Sequence, residues 1–335
     1  MKHMWMGLLL CLFLIVSISG VFAAGEGETK ADDGKILIGL SMVQKDSDWW
    51  NTMGTFGKQA CEAEGWETAT VWGGGDQQKQ IKDIEDLIAR GVDYIIMGPI
   101  QQEGSMVAID KAHAAGISVV TVGRRSNTTN QFGEVFANEA QFGIEQVEQM
   151  HKDYPNGANV VYLFGPVGAG YAIQQWEEGT VPTLKKYPNL KILERYSHPS
   201  DITSDGIKSA EDAIVRFGDQ IDVFACTNDG LALGAVRAVQ AAGLGDKIKV
   251  YGGGLTLMGM EAVYDETMRF SMLKSQAQMA TLCVKFLKTA IAGETPAKKQ
   301  DLVQPVVIMK DNVLTVKDPM FGGTVPDPSS WKPSN

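Results

Sequence analysis

Short, continuously apolar runs alternate along this chain with segments whose apolar residues recur every three or four positions. The runs Ile36–Leu40, Tyr94–Met97, Val119–Val122, Val160–Phe164, Val223–Cys226 and Ile248–Tyr251 have the length and β-branched content of strands covered on both faces. Between them, Ile81, Ile84 and Ile88 share one helical face, as do Ile207, Ala210, Ile214 and Phe217. Met279, Leu282, Cys283, Phe286, Leu287 and Ala290 make the clearest stripe. Strand–helix alternation of this kind calls for parallel sheets with right-handed helical crossovers. The 335 residues and the number of such units exceed one ordinary doubly wound sheet, so two α/β lobes are expected.

The ends read differently. A basic start (Lys2), an apolar run from Met6 to Val16 and small residues up to Ala23 form the pattern of a secretory signal peptide, with cleavage after Ala23. Residues 24–34 are polar and read as a flexible tether. Residues 321–335, rich in Gly, Pro and Ser, read as a surface tail. The net charge of −10 becomes one unit more negative once Lys2 is removed, and no basic stripe is present, which excludes a nucleic-acid partner. Cys61, Cys226 and Cys283 sit in apolar periodic segments and read as buried free thiols. With four histidines and no Cys-x-x-Cys, neither a metal nor another cofactor is expected.

Four segments carry a family resemblance. They are Ile38-Gly39-Leu40-Ser41 followed by Lys45-Asp46-Ser47-Asp48-Trp49-Trp50; Gln80–Ile84 with Ala89–Asp93 leading to Gly98-Pro99; Gly116–Arg124; and Phe224–Ala235, which contains Thr227-Asn228-Asp229-Gly230. In this order and spacing they resemble the ribose/galactose-type periplasmic binding proteins, over about residues 35–307. That resemblance implies a type I periplasmic binding protein fold, with two Rossmann-like lobes joined by a three-segment hinge. The lobes would be 35–136 plus 276–303 and 137–275 plus 304–320, with crossings near Phe136–Asn138, Ser275 and Asp301–Gln304. A ligand would lie between the facing C-terminal ends of the strands, where open parallel sheets place it.

The same resemblance suggests which residues face that ligand. Trp49 and Trp50 offer indole faces for a sugar ring, one of them packing on its own lobe as the alternative. Asp48 is either a hydroxyl acceptor or the N-cap of the first helix. Arg124 can hold two ligand oxygens with its fork. Asn228 would contact ligand from the second lobe, with Asp229 either beside it or capping the next helix. Gln101, Asn138, Gln174 and Ser275 complete the set, Lys274 and Gln276 being alternatives to Ser275. Glycine stands at 123 and 254, where the family usually has aspartate. The expected ligand is a small polar molecule, a sugar, polyol or related compound, and the depleted charged clamp points away from ribose or an ordinary pyranose and toward a smaller or less hydroxylated one, such as a polyol, a furanose, an amine derivative or a small signalling molecule.

No catalytic constellation is present. Gly-x-Ser-x-Gly is absent and the histidines are scattered. The loop Gly165–Gly170 has glycines in an order unlike the dinucleotide fingerprint. The expected function is a monomeric solute-binding protein of the periplasm, serving an ABC-type permease of the inner membrane. The alternative is a sensory adaptor for a membrane histidine kinase or chemoreceptor, since Lys45–Trp49 and Phe321-Gly322-Gly323 also look like trimethylamine N-oxide-sensing adaptors.

Overall fold

A computed structural model describes residues 34–318. The signal peptide expected over 1–23, the tail expected over 321–335, and the tether expected over 24–34 except Gly34 lie outside the described residues.

The chain opens with β1 (Leu37–Met42), α1 (Asp48–Ala63), β2 (Glu67–Trp72), α2 (Gln77–Ala89), β3 (Tyr94–Met97), α3 (Ser105–Ala114), β4 (Ser118–Val122) and β5 (Gly133–Ala137). It continues with α4 (Glu139–Asp153), β6 (Ala158–Phe164), α5 (Tyr171–Gln174), α6 (Val181–Leu184), β7 (Leu190–Ser197), α7 (Thr203–Phe217), β8 (Val223–Cys226) and α8 (Asp229–Ala241). The last elements are β9 (Lys249–Tyr251), α9 (Leu257–Tyr264), β10 (Ser271–Leu273), α10 (Gln276–Ile291), β11 (Gln300–Val303) and β12 (Val306–Ile308).

Ten of these strands form two separate parallel sheets. The first has the order β11-β5-β4-β3-β1-β2 and the second β7-β6-β8-β9. Single bridges, Tyr251 to Phe270 and Gly254 to Leu273, bring β10 alongside β9, and β10 pairs antiparallel with β12. The chain thus leaves the first sheet after β5, returns to its helical layer with α10 and its edge with β11, and leaves again before β12.

Alternation of side chains across each pleat explains the continuous apolar runs. In the first sheet Ile38, Leu40, Ile96 and Val120 face a core shared with α1 and α10, while Ile95, Met97 and Val119 face α2 and α3. In the second, Val161, Leu163, Phe224 and Cys226 face one core, and Val160, Tyr162, Val223 and Ala225 face the other. Each fully buried Ile, Val or Leu contributes about 1.5–3 kcal/mol. Cys61, Cys226 and Cys283 are free thiols within these cores. Among the described residues no helix is long and apolar enough to cross a membrane.

The helices start as their sequences dictate, with two corrections. Ser47, not Asp48, is the N-cap of α1, and Asp48 is its first residue. Asn228, not Asp229, caps α8, its Oδ1 accepting from Leu231 N at 2.9 Å. In both places the capping residue is the one still in extended conformation, one position ahead of the acid.

Candidate functional site

The C-terminal ends of both sets of strands converge on one chamber of about 700 Å³, open mouth included. From the first sheet, the loop after β1 supplies Asp46, the first turn of α1 supplies Asp48, Trp49 and Trp50, and the loop after β4 supplies Gly123 and Arg124. From the second come Tyr171, Asp201, Asn228, Asp229, Gly253 and Thr256, with Glu139 and Lys274 from the segments joining the two sheets.

Trp50 is 3% exposed and belongs to the first sheet's core, where its ring lies over Gly98. Trp49 stands edge-on to it, ring centroids 4.7 Å apart, and is half-buried in the chamber. Its indole spans the chamber: a Cβ on Gly123 would lie 2.8 Å from Trp49 Cη2, and one on Gly254 would lie 3.2 Å from Trp49 Cδ1. Both glycines have positive φ, +73° and +114°. The two absent aspartates therefore have a physical reason, since this indole occupies the space their side chains would need. With the Gln276 amide assigned in the orientation that satisfies both its neighbours, Trp49 Nε1 donates to its Oε1 at 3.0 Å and its Nε2 donates to Lys274 O at 3.2 Å.

Arg124 is held on every side. Its Nη1 donates to Ile100 O at 3.0 Å, and its guanidinium lies 5.2 Å from the Trp50 ring and 5.5 Å from the Tyr171 ring. Nη2 donates to Asp201 Oδ2 at 2.6 Å, forming an ion pair whose side chains are 5% and 12% exposed. Asp201 also accepts from Tyr171 Oη and, at 3.0 Å, from Asn228 Nδ2. Burial, and then the Asp201 charge, push the Tyr171 phenol well above its usual range, so it stays a donor. The arginine expected to grip ligand oxygens is instead engaged with a carboxylate of the opposite sheet. Asn228 is likewise occupied, as cap and as support for Asp201.

Asp229 lines the chamber but turns its carboxylate inward. Oδ1 accepts from Ser271 Oγ at 2.8 Å and Oδ2 from Thr256 N at 3.0 Å. Burial raises its pKa above the ordinary carboxylate value. It fixes the loop after β9. At the floor, Lys274 Nζ donates to Glu139 Oε1 at 3.2 Å, and Gln175 Nε2 donates to Glu139 Oε2 at 2.6 Å.

Asp48, Trp49, Trp50, Arg124, Asn228 and Asp229 are thus brought together, and four expected residues lie elsewhere. Asn138 caps α4 and donates to Gln304 Oε1 at 3.1 Å, tying two of the crossing segments to each other. Ser275 caps α10 and donates to Asp318 Oδ1 at 3.0 Å; its neighbour Lys274 is the one facing the chamber. Gln174 is displaced because Gln175–Thr180 is a π-helical turn between α5 and α6, which turns Gln175 inward in its place. Gln101 lines a neighbouring cavity. Tyr171, Asp201 and Glu139 were missed by sequence reading. Asp201 lies in the loop before α7 and Tyr171 opens the short helix α5, and no sequence motif marks either.

Comparison with known proteins agrees with this architecture. The chain is 27% identical over 227 residues to the xylitol-binding protein of Mycolicibacterium smegmatis, a match covering 67% of this chain and 63% of that protein, less than two thirds of its length. It is 28% identical over 217 residues to the galactofuranose-binding protein YtfQ of Escherichia coli, covering 62% and 67%. A solved structure from Mycobacterium smegmatis in complex with β-D-fucofuranose superposes with a TM-score of 0.76 at 26% identity, over 83% of this chain and 92% of that one. The sequence profile of the periplasmic binding protein domain spans residues 38–295, most of the chain, and with the two parallel sheets and the chamber between their strand ends this establishes that the chain belongs to the periplasmic binding protein domain family.

Proposed function

We propose that this chain is an exported solute-binding protein that captures a small neutral sugar or polyol and delivers it to an ABC-type importer. It binds and does not catalyse. On this reading the signal peptide is removed after Ala23 and the mature monomer works in the periplasm. Lobes 35–136 plus 276–303 and 137–275 plus 304–320 close about three crossings, near Asn138, Ser275 and Gln304.

The observation that carries the reading is the Trp49 indole, laid between Gly123 of one sheet's loops and Gly254 of the other's. A flat apolar face in a chamber edged by Asp48, Lys274 and Thr256 suits a ring or chain with hydroxyls on its rim. The two cations of the chamber are already paired with carboxylates, so an anionic ligand finds no free partner there. Relatives that bind xylitol and galactofuranose support the same class.

A thermal-shift screen with xylitol, D-xylose, L-arabinose, D-galactose and D-fructose tests this. Ligand at about a hundredfold excess over its Kd adds roughly 2.7 kcal/mol to stability, a rise of several degrees in Tm. A panel that leaves Tm unmoved contradicts the reading.

A further inference from the structure

The cleft between the sheets holds a second cavity, of about 780 Å³ with its mouth, beside the Trp49 chamber. Arg124 and Asp201 are the two residues that line both cavities. They come from opposite sheets, and they meet at 2.6 Å with little exposure. We propose that the Arg124–Asp201 ion pair is a size gate: it walls the Trp49 chamber off from the second cavity, so that the protein selects a one-unit sugar or polyol and rejects compounds carrying a second sugar unit. This rests on the sugar or polyol reading above and names the residues that set the ligand's size.

The wall is rigid because neither partner is free to swing. Arg124 is anchored by Ile100 O and lies between the Trp50 and Tyr171 rings. Asp201 is fixed by Tyr171 Oη and Asn228 Nδ2. Displacing either would strand a buried charge, which a neutral ligand cannot compensate. The backbone also bridges the cleft beside the second cavity, Gln102 N donating to Gly168 O at 2.7 Å. Beyond the wall the second cavity is neutral and polar, lined by Gln44, Gln101, Ser197 and Ser200 beside Ile100 and Pro166. A second hydroxylated unit would find suitable partners there, and what stops it is the pair itself.

Calorimetric titration tests this with one-unit probes (xylitol, D-xylose, D-galactose) and two-unit probes (sucrose, trehalose, melibiose). The proteins are the wild type, the Arg124→Ala/Asp201→Ala variant, which removes the wall, and the Arg124→Met/Asp201→Leu variant, which keeps its bulk without charge. The wild type should bind a one-unit probe and no two-unit probe. The double-alanine variant, shown folded by its melting curve, should bind at least one two-unit probe tenfold or more tightly than the wild type. The Met/Leu variant should go on rejecting all of them. A wild type that takes a two-unit probe as well as a one-unit probe, a folded double-alanine variant with no such gain, or a Met/Leu variant that admits two-unit probes overturns the size gate. A wild type that binds none of the probes of either size overturns the sugar or polyol reading, and the gate with it.

Discussion

Gly123 and Gly254 decide whether Trp49 can lie across the cleft, and each is constrained twice, by a positive φ and by the ring its Cβ would meet. These two constraints are separable. Gly116 has a similar φ of +80° with open space around it. Gly123→Ala and Gly116→Ala should both lose stability, about 1–3 kcal/mol from the left-handed conformation. Only Gly123→Ala should also weaken ligand binding, by several-fold, because its Cβ displaces the Trp49 ring. Melting curves beside calorimetry check this, and equal affinity in both variants would show that Trp49 does not touch ligand. Trp49→Ala should lower affinity roughly fivefold or more, since stacking adds about 1 kcal/mol beyond the area covered. Its Tm should fall only slightly, because the ring lies outside the fully buried core. The sequence signals an aromatic pair here but not the division of labour. Which tryptophan joins the core is set by the helical turn between positions 49 and 50 and by Gly98, a residue of another strand's loop.

Among the elements, strands with continuously apolar runs are legible, while polar or very short ones are not, and the buried interior strand β5 is missed because Gly133 and Glu134 interrupt its run. β1, β3, β4, β6, β8 and β9 coincide with the apolar runs. β2 and β7 are sheet edges whose polar residues, Glu67, Thr68 and Thr70 in one and Lys191, Glu194 and Arg195 in the other, break the pattern. β10 and β12 have three residues each, too few for any period. The second sheet is also tied by a polar cluster no motif announces. Asp153, ending α4, accepts from Arg269 Nε and Nη2, both at 2.8 Å, and from Tyr251 Oη. Burial pushes its carboxyl up, but these donors outweigh burial and hold it below the ordinary value. Its folded pKa being depressed, the stabilisation is fully present above the ordinary carboxylate value of about 3.9 and is lost as pH falls through the lower folded one. Asp153→Asn should therefore lose roughly 1.5–3 kcal/mol at neutral pH. The difference in Tm from wild type should shrink as pH drops below the carboxylate range, and a difference that stays constant into acid would rule out this linkage.

For the whole molecule, two parallel sheets and a cleft between their strand ends follow from the periodicity and from four segments in fixed order. The site is less legible because half of it is made by loops meeting across that cleft. Arg124 reads as a ligand grip until Asp201, 77 positions further on, is seen to take its fork. Gln174 reads as a cleft residue until the π-helical turn replaces it with Gln175. The first depends on how the lobes face each other and the second on an irregular helical turn, and no local spacing encodes either. On the proposed function the lobes close on one small ligand, with Asn228 helping to hold Asp201 in place. Ligand must then favour the closed arrangement, and its differential affinity drives the change. Loss of the Asn228 side chain, at roughly 1–3 kcal/mol, should raise the ligand concentration needed for closure at least several-fold. The direct measurement is small-angle X-ray scattering of wild type and Asn228→Ala, titrated with the compound that shifts Tm. The wild-type radius of gyration should fall at saturation, and the Asn228→Ala midpoint should move to higher ligand. A radius that stays constant at saturating ligand, or a variant that closes at the wild-type concentration, would contradict it.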